Sequence, residues 1–125
     1  MKVNWLSIGA LLAGVAVLLG AFAAHGLSQY LSAEKLVTFK TAVDYQFIHS
    51  IALLVVGLLQ GKSYSETQLK VIGWCFVAGI GLFSGSLYLW VFSGFTALMF
   101  LTPCGGIFFI VAWFWLSRLM WKANQ

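Results

Sequence analysis

Few side chains in this sequence have chemistry to offer. His25, Asp44 and His49 can titrate or ligate, and Cys75 and Cys104 carry thiols. Tyr45, Gln46, Ser84, Ser86, Tyr88 and Thr102 add hydrogen-bonding atoms inside otherwise apolar stretches. Two histidines on different segments suggest haem ligation. Their expected depths differ by about one to two helical turns, so no axial pair is expected. Zinc would want four ligands, and no thiol or carboxylate is placed to complete the set, so no metal or cofactor is expected. Serines are present without a Ser–His–Asp arrangement, and no Gly-rich phosphate loop occurs, so no catalytic constellation and no enzyme are expected. What remains is spacing. Tyr45, Gln46 and His49 are related by i,i+4 and i,i+3 and share a helix face, as do Ser84 and Tyr88. Asp44 lies about 140° round the helix from His49, which rules against an Asp–His dyad. Lys40 to Asp44 is i,i+4, and an interfacial ion pair is the expectation there.

The elements that hold these residues follow from composition. The 125 residues are 62% hydrophobic and 8% charged, against about 25% charged for a soluble domain. Ten charges cannot cover a water-facing surface of this size, and the many aromatic residues exclude a disordered chain. The net charge of +4 comes from scattered Lys and Arg, which makes nucleic acid a poor partner. A bilayer core about 30 Å thick takes about 20 apolar residues per helix. Four such stretches are present, over 3–24, 41–59, 69–92 and 98–121. Nothing alternates with a two-residue period. The expected fold is an all-α integral membrane protein, a single four-transmembrane-helix bundle over 1–125.

Four spans put both termini on one side, with Lys2, Lys62, Lys70, Arg118 and Lys122. Lys35 and Lys40 fall on the other, so the termini are expected in the cytoplasm. Trp5, Trp74, Trp115 and Trp121 would then form an inner aromatic belt, with Trp90, Tyr88 and Tyr45 toward the outer one. Lys2, the Leu6–Leu19 run and Ala21-Phe22-Ala23 resemble a signal peptide. Since the chain keeps Met1, the segment is expected to remain as the first span. Ser63-Tyr64-Ser65-Glu66 has capping-box spacing and predicts a helix start near Tyr64. Ser32 predicts the N-cap of a helix over 33–59, about 40 Å long. Ser93-Gly94-Phe95-Thr96 is a short turn joining antiparallel neighbours, and Pro103 suits the start of the last helix.

Cys75 and Cys104 fall at opposite ends of their spans, more than about 20 Å apart, too far for a disulfide. Small residues recur at four-residue spacing, which marks Gly14, Gly20, Gly81 and Gly85, with Gly105 and Gly106, for close helix packing. Packing within the bundle is the plain reading, and a homodimer face is the alternative.

Depth gives the pointed observation. His25, Tyr45, Gln46, His49, Ser84, Ser86, Tyr88 and Thr102 all fall in the outer half of the four spans, while the inner half holds almost nothing polar. Polar groups in hydrocarbon must find partners, and ionisable ones face the protein interior. One hydrogen-bonded outer-leaflet cluster is expected. A neutral His49 bonded to a neighbouring Ser, Tyr or Gln is its plain reading, with binding or proton handling as the alternative. His25 reads most simply as an interfacial side chain ending helix one.

Four segments also carry a family likeness. Gly20-Ala21-Phe22-Ala23-Ala24-His25-Gly26-Leu27 resembles the G-A-F-G-A-H-G-L signature of a small four-helix membrane-protein family of unknown function. Its eukaryotic members are called transmembrane protein 256-like. Thr38–His49 is similar to that family's T-F-x-T-A-x-x-Y-Q-x-x-H stretch. Leu82–Tyr88 is similar to its L-F-S-G-S-L-Y motif, and Thr102–Gly106 to its T-P-x-G-G turn. Ala23 departs from the pattern, standing where Gly is common. The resemblance implies four helices and residence in the bacterial inner (plasma) membrane, with no established activity or cofactor. The expected function is a non-enzymatic inner-membrane protein supporting envelope integrity by binding lipid or a membrane partner at the outer cluster. A small oligomeric transporter or proton-linked channel using His49 is one alternative. A purely structural cluster is the other.

Overall fold

Side-chain oxygens open the first three helices by taking backbone N–H groups that no earlier turn can satisfy. The computed structural model describes residues 2–125. Asn4 accepts from Ser7 N–H at 3.0 Å at the start of α1 (Trp5–His25). Ser32 accepts from Lys35 N–H at 3.2 Å to begin α2 (Ala33–Leu59). Ser65 accepts from Gln68 N–H at 3.3 Å to begin α3 (Glu66–Gly79). The expected start near Tyr64 is therefore corrected by two residues. Ser65, not Ser63, is the cap, because Glu66 turns away to accept Gly61 N–H at 2.5 Å and holds the preceding turn instead.

α3 does not stop at Gly79. It passes through one turn of π-helix, Ile80–Ser84, into α4 (Gly85–Ser93), with Gly85 N–H reaching back five residues to Ile80 O. Gly94, at φ +68°, closes α4 in the left-handed conformation that glycine adopts without a Cβ penalty. A 3-10 turn at Thr96–Phe100 leads into α5 (Leu101–Ala123), with Pro103 in its first turn. Among the described residues four helical stretches are long and apolar enough to cross a bilayer: Trp5–Gln29, Ala33–Leu59, Glu66–Ser93 and Thr96–Ala123. No strand occurs among the described residues.

The four do not share the interior equally. Half of the membrane-crossing window of α2 is buried and 39% of that of the α3–α4 span, against 17% for α1 and for the fourth span. α2 and the α3–α4 span therefore form the centre. α1 packs along α2, and α5 along the α3–α4 span. One core around Leu53, Val56, Leu69, Ile72, Phe76 and Leu116 fills the end that carries the termini. A second, around Ala23, Leu27, Phe39 and Val91, closes the opposite end. Trp5, expected in an interfacial belt, is instead fully buried in the first core, edge-on to Trp74 with ring centroids 5.3 Å apart. Gly73 makes the room, since a Cβ there would sit in the Trp5 ring.

Two crossings bring backbones together. A Cβ at Gly9 would lie 2.9 Å from Ser50 O, and one at Gly57 would lie 2.8 Å from Leu6 N, so α1 and α2 touch main chain to main chain. On the other side, a Cβ at Gly105 would lie 2.8 Å from the Leu82 carbonyl carbon and meet Phe83 N closer still. The π turn of the third span therefore rests directly on α5. The other glycines singled out by spacing are placed differently. Gly14, Gly81 and Gly106 face open space, Gly20 has only an ordinary 3.5 Å contact with Val43, and Gly85 meets only Ile80 O at 3.9 Å. Four-residue spacing marks small residues but not which side of the helix they occupy; the close approaches between helices fall at Gly9, Gly57, Gly73, Gly79 and Gly105.

Gly105→Ala should destabilise the protein by about 1–3 kcal/mol, because the neighbour is backbone and cannot rotate aside. Gly106→Ala should be neutral or slightly stabilising, through helix propensity. Thermal melting of both variants in the same detergent checks the pair, and equal melting temperatures would count against the close crossing.

Candidate functional site

The polar residues of the half away from the termini resolve into hydrogen-bonded links between specific helices. The first centres on Gln46, which α2 buries. Its amide N–H2 donates to Leu12 O of α1 at 2.8 Å, and its Oε1 accepts from the Tyr88 hydroxyl of α4 at 2.7 Å. One side chain thus ties three spans. Beside it Ser84, at the end of the π turn, donates to Ala42 O of α2 at 2.7 Å, and Ser50 donates to Gln46 O at 2.5 Å. The α-helical carbonyls involved have a second lone pair to spare, so the interhelical bonds do not break the helices. Phe39 packs on Tyr88, with ring centroids 5.2 Å apart, and covers this link toward the end opposite the termini.

The second link joins α4 to α5. Ser86 donates to Phe83 O at 2.9 Å and meets the Thr102 hydroxyl at 2.6 Å. Since the Ser86 proton is on Phe83 O, Thr102 donates to Ser86. Ser84 and Tyr88 face α2 while Ser86 faces α5, as expected for positions about 200° apart on a helix. The π turn adds one residue ahead of them, rotating the face that α4 presents by about 100° relative to an uninterrupted helix.

The third link holds His49 between α2 and α5. Its Nδ1 lies 2.6 Å from Tyr45 O, and its Nε2 accepts from the Trp113 indole N–H at 3.0 Å. An indole N–H only donates and a carbonyl only accepts, so these partners specify the neutral ring with its proton on Nδ1. The ring stacks flat on Phe109, with centroids 3.5 Å apart and planes 5° from parallel. The partners are thus Trp113 and backbone, not the Ser, Tyr or Gln side chains anticipated. Phe76 closes the pocket from α3.

Two polar side-chain groups, the Tyr45 hydroxyl and the His25 ring, stand apart from these links, although Tyr45 supplies the backbone carbonyl for His49. Tyr45 is exposed, its ring stacked on Phe83 at 4.5 Å, and its hydroxyl has no partner among the described residues. His25 is exposed at the end of α1 and bonds to none of the others. The single cluster expected from depth is therefore corrected to three separate hydrogen-bonded links, with the Tyr45 hydroxyl and His25 outside them: equal depth does not place residues on facing sides of their helices. The expected Lys40–Asp44 ion pair is also absent; the one ion pair among the described residues joins Lys2 to Glu66 at 3.8 Å. Asp44 is exposed instead at a shallow groove between α1 and α2, beside Gly20 and Phe47. Both cysteines are free.

Trp113 and Phe109 were missed by sequence reasoning, although a signal existed. A tryptophan midway along a span, away from either interface, needs a partner for its N–H. Ser50, one turn after Gln46, was legible in the same way.

The family model described as "Protein of unknown function (DUF423)" matches residues 19–106. That stretch contains the four segments whose motifs carried the resemblance. Among similar proteins is a UPF0382 membrane protein of Haemophilus influenzae, 40% identical over 125 residues, covering 100% of this chain and 99% of that protein. UPF0382 membrane protein YwdK of Bacillus subtilis is 41% identical over 113 residues, with 90% and 91% covered. UPF0382 membrane protein SAB0533 of Staphylococcus aureus is 40% identical over 115 residues, with 92% and 93% covered. No solved structure matches the chain significantly.

Tyr88→Phe leaves Gln46 Oε1 in an apolar interior without a donor and should lower stability by about 1 kcal/mol. Reversible unfolding in mixed micelles measures it, and stability equal to wild type would mean that the Tyr88–Gln46 bond contributes nothing.

Proposed function

The chain belongs to the DUF423 family of membrane proteins, and on that premise we propose that it works without catalysis. In this reading it is a four-span protein of the bacterial inner membrane that supports the envelope through the contacts its outer surfaces make with lipid or a membrane partner. The observation carrying the reading is how the polar atoms of the three links are spent. Both ends of the Gln46 amide, both nitrogens of His49 and the hydroxyls of Ser84 and Ser86 are engaged inside the chain. A head group entering there would have to displace a protein partner and leave it unsatisfied, at about 1–3 kcal/mol per buried group. The links therefore act as a lock that sets the arrangement of the spans, and recognition falls to the exterior.

The same geometry weighs against the proton-channel alternative. Between His49 and the end bearing the termini lie Leu53, Val56, Phe76, Ile72, Leu69 and Leu116, all apolar and buried. A proton path needs polar steps or water on both sides of its titrating group. The bias of Lys and Arg toward the termini supports a cytoplasmic placement of both.

Two measurements check this reading. Native mass spectrometry of gently solubilised protein should give the same adduct pattern for wild type and His49→Ala, with a lower melting temperature for the variant. An adduct lost in His49→Ala would move ligand binding back into the polar links. Separately, green fluorescent protein fused after Gln125 should fluoresce and alkaline phosphatase fused there should stay inactive; the reverse pattern would invert the topology.

A further inference from the structure

At the end that carries the termini, the first turn of α3 and the last turns of α5 diverge around a cavity of about 630 Å³ lined by Gln68, Phe114, Trp115, Arg118, Leu119 and Lys122. Trp115 Nε1–H donates to Gln68 Oε1 at 2.9 Å, which fixes the Gln68 side chain and leaves its N–H2 group without a partner among the described residues. Arg118 and Lys122 are one turn apart on α5, so both cations reach the same side of the cavity. Among the described residues no side-chain carboxylate pairs with them. Among the described residues the one ion pair is Lys2–Glu66, and Glu66 also accepts from Gly61 N–H. Glu34 lies in the first turn of α2, at the opposite end of the molecule. The N-terminal end of α3 adds the positive pole of its helix dipole to the same place.

Along α5 the chemistry changes with height. Below the two cations, the same helix presents Phe114, Val111, Ile110 and Ile107 outward, all large, apolar and exposed. A compact cationic recess directly above an apolar strip matches one kind of molecule: an anion carried on an acyl chain. We infer that this recess binds the phosphate of an anionic glycerophospholipid of the phosphatidylglycerol class. Arg118 takes the phosphate oxygens in its planar fork, Lys122 and the Gln68 N–H2 group add donors, and an acyl chain runs along the Phe114–Ile107 face. Basic recesses between transmembrane helices hold lipid head groups on these terms. The site is separate from the polar links around Gln46 and His49, and it stands or falls independently of whether those links bind anything.

The test uses the full chain, purified in detergent, stripped of lipid and read by native mass spectrometry. Dioleoylphosphatidylglycerol and dioleoylphosphatidylcholine are titrated in parallel against wild type, against the double variant Arg118→Gln with Lys122→Gln, and against Lys62→Gln. Lys62 is a cation at the same end that does not line the recess. Wild type should retain phosphatidylglycerol over phosphatidylcholine by about thirtyfold, the size expected for two membrane-proximal cations. The double variant should lose that preference while keeping the wild-type melting temperature, since both side chains are exposed. Lys62→Gln should keep it. A preference that persists in the double variant, or falls equally in Lys62→Gln, overturns the site. Inorganic phosphate displacing phosphatidylglycerol at matched concentration overturns the lipid assignment, because the acyl chain would then contribute nothing.

Discussion

Hydrocarbon offers no water to a side-chain amide, so a glutamine placed there must find protein partners for both its oxygen and its nitrogen or carry an unsatisfied group worth several kcal/mol. Gln46 meets that constraint with Leu12 O on one side and the Tyr88 hydroxyl on the other, 2.8 and 2.7 Å away. To satisfy one residue, α1 and α4 must sit at a definite height and rotation against α2. Most of the remaining architecture accommodates that requirement. His49 imposes a similar one between α2 and α5, since its two nitrogens need one acceptor and one donor from different directions.

Satisfying those groups requires backbones to come close, and the glycines at the crossings permit it. Gly9 and Gly57 let α1 lie on α2, and Gly105 lets the π turn rest on α5. The π turn in its turn aims Ser84 at α2 and Ser86 at α5. An apolar helix pair in lipid gains no hydrophobic energy by associating, so close packing and interhelical hydrogen bonds have to supply the specificity. Here the two occur at the same crossings and reinforce each other.

With the polar links of the interior committed in this way, the chemistry left to recognition lies on the surface. α1 and α5 are largely exposed, and their outward side chains are apolar along the spans. The cations gather at the end of the termini, and only one ion pair forms there among the described residues. Such a molecule meets its surroundings as a shaped apolar wall with a basic rim, which suits contact with lipid and with other membrane helices.

Class and span number were legible in the sequence, because length and hydropathy alone decide whether a helix can cross a bilayer. The caps at Ser32 and the turn at Gly94 were legible for a local reason, since a side-chain oxygen or a missing Cβ acts within one turn. The depth of the polar residues was legible as well, and Gln46, Tyr88, Ser84, Ser86 and Thr102 do bond across helices. Which residue bonds which was not. His49 turned to Trp113 and not to a serine or tyrosine, and His25 turned outward. Asp44 stayed apart from Lys40, and of the glycines marked by spacing only Gly105 came against a neighbouring backbone. Those outcomes depend on helix rotation, and an all-round apolar helix carries no periodic signal to set its rotation. One inserted residue in the third span shifts the phase of everything after it. Sequence by itself determined how many helices cross and at what level their polar atoms lie; only tertiary structure decided which faces meet, because that choice is made by matching lone pairs and backbone clearances between helices distant in the chain.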